Sequence, residues 1–222
     1  MTESLALWIT LKLALVTTFW LLVLGTPLAW WLARRQGVIR TAVEAVVALP
    51  LVLPPTVLGF YLLIAFAPQS VIGSTWEQLT GQRLAFTFNA LVIGSILYSL
   101  PFVVQPLQSA FRQVPSNLLD AAATLGASPW DRWLHVVLPL CRPSFIAAAS
   151  LGFAHTVGEF GVVLMIGGNI PGETQVLSIA LYDRVEALDF AAAHQLAAGL
   201  VAFSLVTLFL LYRSSARWSL RA

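Results

Sequence analysis

PSNLLDAAATLGASPWDRWLHVVLPLCRP, residues 115–143, decides how this chain is built: polar residues, helix-start signals and turn signals meet here, between two apolar runs long enough to cross a bilayer. Asn117, with Asp120 three residues on, reads as an N-cap and N3 pair opening a short helix over Leu118 to Leu125, and Gly126 supplies the left-handed residue that closes it. Ser128, Pro129 and Asp131 repeat the start signal with a hydroxyl cap, a proline where its missing N–H costs nothing, and an acid beside the positive helix end. The second helix is expected to turn Trp130, Trp133, Val136 and Val137 inward and Arg132 and His135 towards water. Residues 113–143 thus read as a polar connector of two short amphipathic helices between spans.

Outward from this window the chain is apolar. Hydrophobic residues make up 59% of the 222 and charged residues 10%, with a mean hydropathy of +0.84. That is more apolar surface than a water-soluble domain of this length can hide. A membrane helix needs about 20 apolar residues, and five runs reach that length: Leu5–Ala33, Ala42–Ala67, Phe86–Phe111, Ser144–Ile166 and Phe190–Tyr212. Backbone groups in hydrocarbon must be satisfied within the segment, so the expectation is an all-α polytopic membrane protein, one transmembrane domain over residues 1–222. The first run has no basic segment ahead of it and is longer than a cleavable leader, so it reads as a retained span. A net charge of +2, with the cations at the ends of apolar runs, implies lipid and not nucleic acid as the surrounding partner. The lone Cys141 excludes an intrachain disulfide and a cysteine-based metal cluster.

Arginine placement orients the spans. With the N-terminus outside, Arg34, Arg35, Arg40, Arg112, Arg132, Arg142, Arg213, Arg217 and Arg221 face the cytosol, against Lys12, Arg83 and Arg184 on the outer side. The connector and the C-terminus are then cytosolic. Trp8 and Trp76 at the outer level, and Trp30, Trp31 and Trp218 at the inner, read as interfacial anchors.

Polar residues inside the runs mark candidate sites. Pro54 and Pro55, after Pro50, free backbone carbonyls within the second run, as a plain kink or as part of a polar path. In the third run Gln105, Gln108 and Ser109 stand three and four residues apart and are expected to share a face that looks into the protein, as interhelical glue or as pathway lining. In the fourth, Glu159 is expected to face the bundle interior or a cavity, with His155 one turn away as its partner. Gly158 and Gly161 beside it permit close approach or local opening, so the stretch is either a structural buried pair or a hinge or gate. The loop Asn169-Ile170-Pro171-Gly172-Glu173-Thr174 is turn-rich and external. No phosphate-binding loop surrounds the sole lysine, Lys12, and Tyr182-Asp183 lies in an external loop without a second matching acid, so no catalytic set is found.

Several of these texts carry a resemblance. Asp120-Ala121-Ala122, three residues, Gly126, nine residues, then Val136-x-Leu138-Pro139 resembles the E-A-A-x3-G-x9-I-x-L-P loop of ABC importer permeases, with Asp for Glu and Val for Ile. The bland alternative is an interfacial helix pair. The stretch Leu49 to Tyr61 resembles the second span of molybdate permeases, Gly158-Glu159-Phe160-Gly161 resembles oxyanion permeases of the sulfate and molybdate branch, and the loop Asn169 to Thr174 is similar to the N-I-P-G-E-T of molybdate permeases. The resemblance implies a type I importer fold in a bacterial plasma membrane, with the connector as the coupling helix of a cytosolic ATPase. It implies two copies of this chain, two ATPase subunits that bind ATP and Mg, no cofactor in this chain, and an extracytoplasmic molybdate-binding protein. Asn169, Pro171, Gly172 and Glu173 would offer that protein a docking surface or merely close the bundle. The expected substrate is a tetrahedral oxyanion, molybdate, with sulfate, thiosulfate or tungstate as alternatives. A proton-coupled carrier using Glu159 and His155, or an assembly protein, stands as a different class.

Overall fold

The computed structural model describes residues 2–219, and no strand occurs among them. In order, the helices are α1 (Thr2–Arg34), α2 (Val38–Ala48), α3 (Pro55–Phe66), α4 (Val71–Thr80), α5 (Phe88–Gln113), α6 (Ser116–Thr124), α7 (Pro129–Arg132), α8 (Leu138–Val157), α9 (Gly161–Gly167), α10 (Leu177–Glu186) and α11 (Phe190–Ser219). A 3₁₀ turn, Leu49–Leu51, follows α2, and a π turn, Trp133–Val137, joins α7 to α8. Four stretches among the described residues are long and apolar enough to span: Glu3–Arg34, Phe88–Gln113, Pro129–Val157 and Phe190–Leu210.

Two expected spans are broken. The second run bends by 110° between Val38–Leu51 and Pro55–Phe66, because Pro54 sits at the N-cap of α3 and Pro55 at its first turn, where a missing N–H starts a helix and cannot continue one. The fourth run begins earlier than Ser144 and ends sooner than Ile166: the helix rises from the connector at Pro129, passes Pro139 and stops at Val157. The π turn ends just before Pro139, so the wider turn takes up the place where proline has no N–H to give.

Residues along α1 and α5 fix the bundle. Ile9 and Leu13 of α1 share one core cluster with Ala90, Leu91 and Val92 of α5, whereas Leu21, Ala29 and Leu32 share a second with Val103, Val104, Leu107 and Phe111. The two helices therefore run parallel, and the molecule has two ends. The connector end holds Val137, Cys141 and an aromatic cluster in which Trp30 meets Phe111 at 5.4 Å and Trp133 at 4.9 Å between ring centroids. The opposite end holds α3, α4, α9 and α10, with α10 tied to α1 where Thr10 accepts from the Leu177 N–H at 2.8 Å. The cations divide between these ends: Arg34 lies over Trp30 at the connector end. Lys12 lies over Phe88, and Arg184 pairs with Glu3 at 2.9 Å, at the other. Arg221 lies outside the described residues, as do the side chains of Arg217 and Trp218. Trp30, Trp31 and Trp76 are partly buried against the cores, while Trp8 is exposed. Tyr182 and Asp183 belong to α10 and not to a loop.

Candidate functional site

The connector forms much as its local chemistry requires. Gly126 has φ +85°, and the Ala127 N–H reaches back to the Ala122 carbonyl at 3.0 Å, closing α6 with a left-handed residue. Ser128 and Asp131 make a reciprocal capping box: the Asp131 N–H donates to Ser128 Oγ at 3.1 Å and the Ser128 N–H to Asp131 Oδ2 at 3.2 Å. Asn117 does not cap: α6 starts two residues earlier than expected, behind Pro115, with no side-chain bond at the N-cap. Of the motif residues, Asp120, Ala121, Gly126, Leu138 and Pro139 are exposed, and Ala122 and Val136 are partly buried. Leu125 is 89% exposed and Trp130, expected inward, is 66% exposed. The elbow between α6 and α7 therefore presents two large apolar side chains on a rigidly capped turn. Trp133 and Val137 carry the second helix's contact with the core. Because α7, the π turn and α8 are continuous, this elbow is the tip of a helix that reaches Val157.

At the far end of that helix lies a cleft of about 480 Å³ lined by Pro55, Tyr98, His155, Gly158, Glu159 and Gly161, among others. The structure thus gathers Pro55, Gly158, Glu159 and Gly161, and places Pro54 beside them at the α3 N-cap. Helix α3 crosses α9 closely: a Cβ on Gly161 would lie 2.8 Å from the Pro55 Cβ, and one on Gly59 would lie 2.8 Å from the Met165 Cβ. Close approach belongs to Gly161 and not to Gly158, where the nearest atom would be 3.7 Å away. Glu159 sits in the break between α8 and α9. It is 3% exposed, with the Ser95 hydroxyl facing its carboxyl, and among the described residues neither carboxyl oxygen makes a hydrogen bond of ordinary geometry. His155 is not its partner. Once the helix ends at Val157, the one-turn spacing no longer sets their geometry, and His155 Nδ1 bonds Ser99 Oγ at 2.8 Å with its ring stacked on Phe102 at 4.0 Å.

Gln105 and Gln108 lie apart from this cleft. Gln105 and Ser109 are exposed on α5 and do not look into the protein, whereas Gln108 is 4% exposed. Gln108 Nε2 donates to Glu44 Oε1 at 2.9 Å, Arg112 Nη2 donates to the same oxygen at 3.1 Å, and Arg40 Nη2 meets Glu44 Oε2 at 2.7 Å. Glu44 escaped the sequence reading, although a lone acid in an apolar run with an arginine four residues before it is a legible signal.

The loop at the opposite end is held internally. Asn169, at φ +55°, donates to both Asp183 oxygens at 3.0 and 3.1 Å, and Gln175 donates to Asn169 Oδ1 at 3.0 Å. Thr174 is fully buried, donates to the Gly167 carbonyl at 2.6 Å and accepts from the Ile170 N–H at 3.0 Å. Asn169 is therefore a strut, and Pro171, Gly172 and Glu173 form the exposed tip.

Comparison with known proteins adds four findings. The sequence pattern of the family described as "binding-protein-dependent transport system inner membrane component" matches residues 25–220. The chain is 58% identical over 209 residues to the molybdenum transport system permease protein ModB of Azotobacter vinelandii, covering 94% of this chain and 92% of that protein. It is also 32% identical over 213 residues to the sulfate transport system permease protein CysT of Escherichia coli, covering 96% and 76%. In fold it matches a chain of the MetNI methionine ABC transporter in inward-facing conformations, with a TM-score of 0.69 at 20% identity over 95% of this chain and 94% of that one.

Proposed function

The chain belongs to the inner-membrane components of binding-protein-dependent transport systems, the permease subunits of ABC importers, and from that premise we propose that it carries molybdate into the cytoplasm as a homodimer. The observation that carries the reading is 58% identity along 94% of the chain to a molybdenum permease, joined to a connector whose exposed, capped elbow suits a protein cleft. In this reading the N-terminus is outside, and the connector and C-terminus are cytosolic, the orientation that puts the arginine-rich end inside. Two ATPase subunits engage Leu125, Trp130 and the Asp120 to Pro139 motif of the two copies. ATP binding draws the elbows together. The displacement passes along the unbroken helix from Pro129 to Val157 and ends at the Glu159 cleft, where two helix breaks meet and the bundle can open outward. The exposed tip Pro171 to Glu173 meets the extracytoplasmic molybdate-binding protein, which supplies the selection among anions.

Sulfate is the second reading, favoured by the sulfate permease relative. A proton-coupled carrier loses its geometric basis, because His155 is bonded to Ser99 and not to Glu159. The test is uptake of labelled molybdate into vesicles holding the chain, its ATPase and its binding protein. Uptake is expected to need ATP, to stop with vanadate and to survive a protonophore. Uptake driven by a pH gradient without ATP would overturn the importer reading, and a tenfold excess of sulfate that abolished uptake would overturn molybdate as the substrate.

A further inference from the structure

Helix α5 runs directly into the connector: its last turn contains Arg112, and only Val114 and Pro115 separate it from α6. One turn apart on this terminal stretch, Gln108 and Arg112 both donate to a single oxygen of Glu44 on α2. Glu44 is also held by Arg40 from its own helix, and the Arg40 Nε donates to the Leu32 carbonyl of α1 at 3.2 Å. Helices α2 and α5 therefore meet at one carboxylate at the connector end, and Arg40 ties α1 to the same point through the Leu32 carbonyl. Helix α2 leads through the 110° bend into α3, and α3 is locked to α9 beside the cleft through Gly59 and Gly161.

We propose that Glu44 is the positioning residue that transmits movement of the connector to the cleft, by clamping the end of α5 to α2 so that the bent α2–α3 pair follows the connector. The α8 route reaches one wall of the cleft; the Glu44 clamp carries the opposite wall, Pro55 and Gly161, with it. The geometry favours a link over mere stability. Gln108, a buried amide, spends its donor on a carboxylate from another helix, and Arg112 spends its guanidinium on the same oxygen although it is half exposed and has water available. Both bonds cross between elements that sequence separates by more than 60 residues.

This inference rests on the importer reading. The experiment uses the complete transporter in vesicles, with the molybdate ion as probe, and reads ATP hydrolysed per ion imported. Glu44→Gln keeps the shape and removes the charge; the expected result is normal assembly with the ATPase and a ratio raised about fivefold or more, the factor that loss of charge-assisted hydrogen bonds implies. Arg112→Gln, at a half-exposed position that tolerates change, is expected to raise the ratio in the same direction, and the double variant to be no worse than Glu44→Gln alone, since both cut one link. A merely structural role would lower the amount of assembled protein and leave the ratio unchanged. An unchanged ratio in either assembled single variant, or additive effects in the double variant, would overturn the proposal. Absence of ATP-driven uptake in the unaltered transporter would instead remove the importer reading, and the clamp with it.

Discussion

Two glycines flank the same buried acid, and the structure sets opposite expectations for them. An alanine Cβ at Gly161 would stand 2.8 Å from the Pro55 Cβ and 3.5 Å from the Thr56 N, whereas ordinary contacts begin at 3.4 Å. At least 0.6 Å of separation between α3 and α9 is required, since 3.4 less 2.8 leaves that gap. The neighbour is a ring carbon at the first turn of a helix and has no rotamer by which to move aside. Overpacking of this kind costs about 1–3 kcal/mol. At roughly 2–4 °C per kcal/mol for a chain of this size, Gly161→Ala is expected to lower the midpoint of thermal unfolding by about 2–12 °C. At Gly158 the nearest atom would be 3.7 Å away and φ is −86°, open to any residue, so Gly158→Ala is expected to stabilise by about 0.4–1 kcal/mol through the unfolded chain. Tryptophan fluorescence of both purified variants in one detergent, scanned at one rate, makes the comparison. Equal destabilisation by the two substitutions would refute the claim that α3 and α9 touch through Gly161.

Gly126→Val places a β-branched residue at φ +85°, a cost of about 1–2 kcal/mol or more, and is expected to leave the protein inserted while ATP hydrolysis proceeds with little uptake; full coupled transport would count against the docking role. Ser128→Ala removes the capping box and is expected to cost about 0.5–2 kcal/mol, confined to the connector and visible as faster amide exchange over α7. Asn169→Ala cuts the strut to Asp183 and is expected to cost about 1–3 kcal/mol in thermal unfolding, with loop exchange rising from Gly168 to Gln175. Leu125→Cys is expected to react with a membrane-impermeant maleimide only from the cytosolic side, against a silent background because Cys141 is buried; labelling from outside in intact cells would reverse the orientation.

Local signals were legible where the responsible groups lie within a few residues of one another. The capping box of Ser128 and Asp131 and the left-handed Gly126 need no partner from elsewhere, and they form as read. Asn117 failed because Pro115 opens α6 two residues sooner, a competition between two start signals that spacing does not rank. Pro54, Pro55 and Gly158 marked where the two runs are able to kink or open, but the 110° size of the bend and the stop at Val157 do not show in hydropathy, which averages over about 20 residues. Assuming an unbroken helix through Gly158 then paired His155 with Glu159. Gln105, Gln108 and Ser109 do share part of α5, but which edge is buried depends on where Glu44 arrives, and that residue lies on a helix 64 positions away from Gln108.

By itself, the sequence determined that this chain is helical and membrane-embedded, with one polar, capped connector and its cations weighted to one side, because hydrophobic transfer, backbone satisfaction and capping act over short stretches of chain. Only the tertiary structure decided how sharply the two apolar runs break, that the breaks meet around Glu159, and that Glu44 binds the end of α5 to α2. Those features depend on which side chain from a distant helix fills a given space or offers a given donor, and neighbours in space are not written in neighbours along the chain.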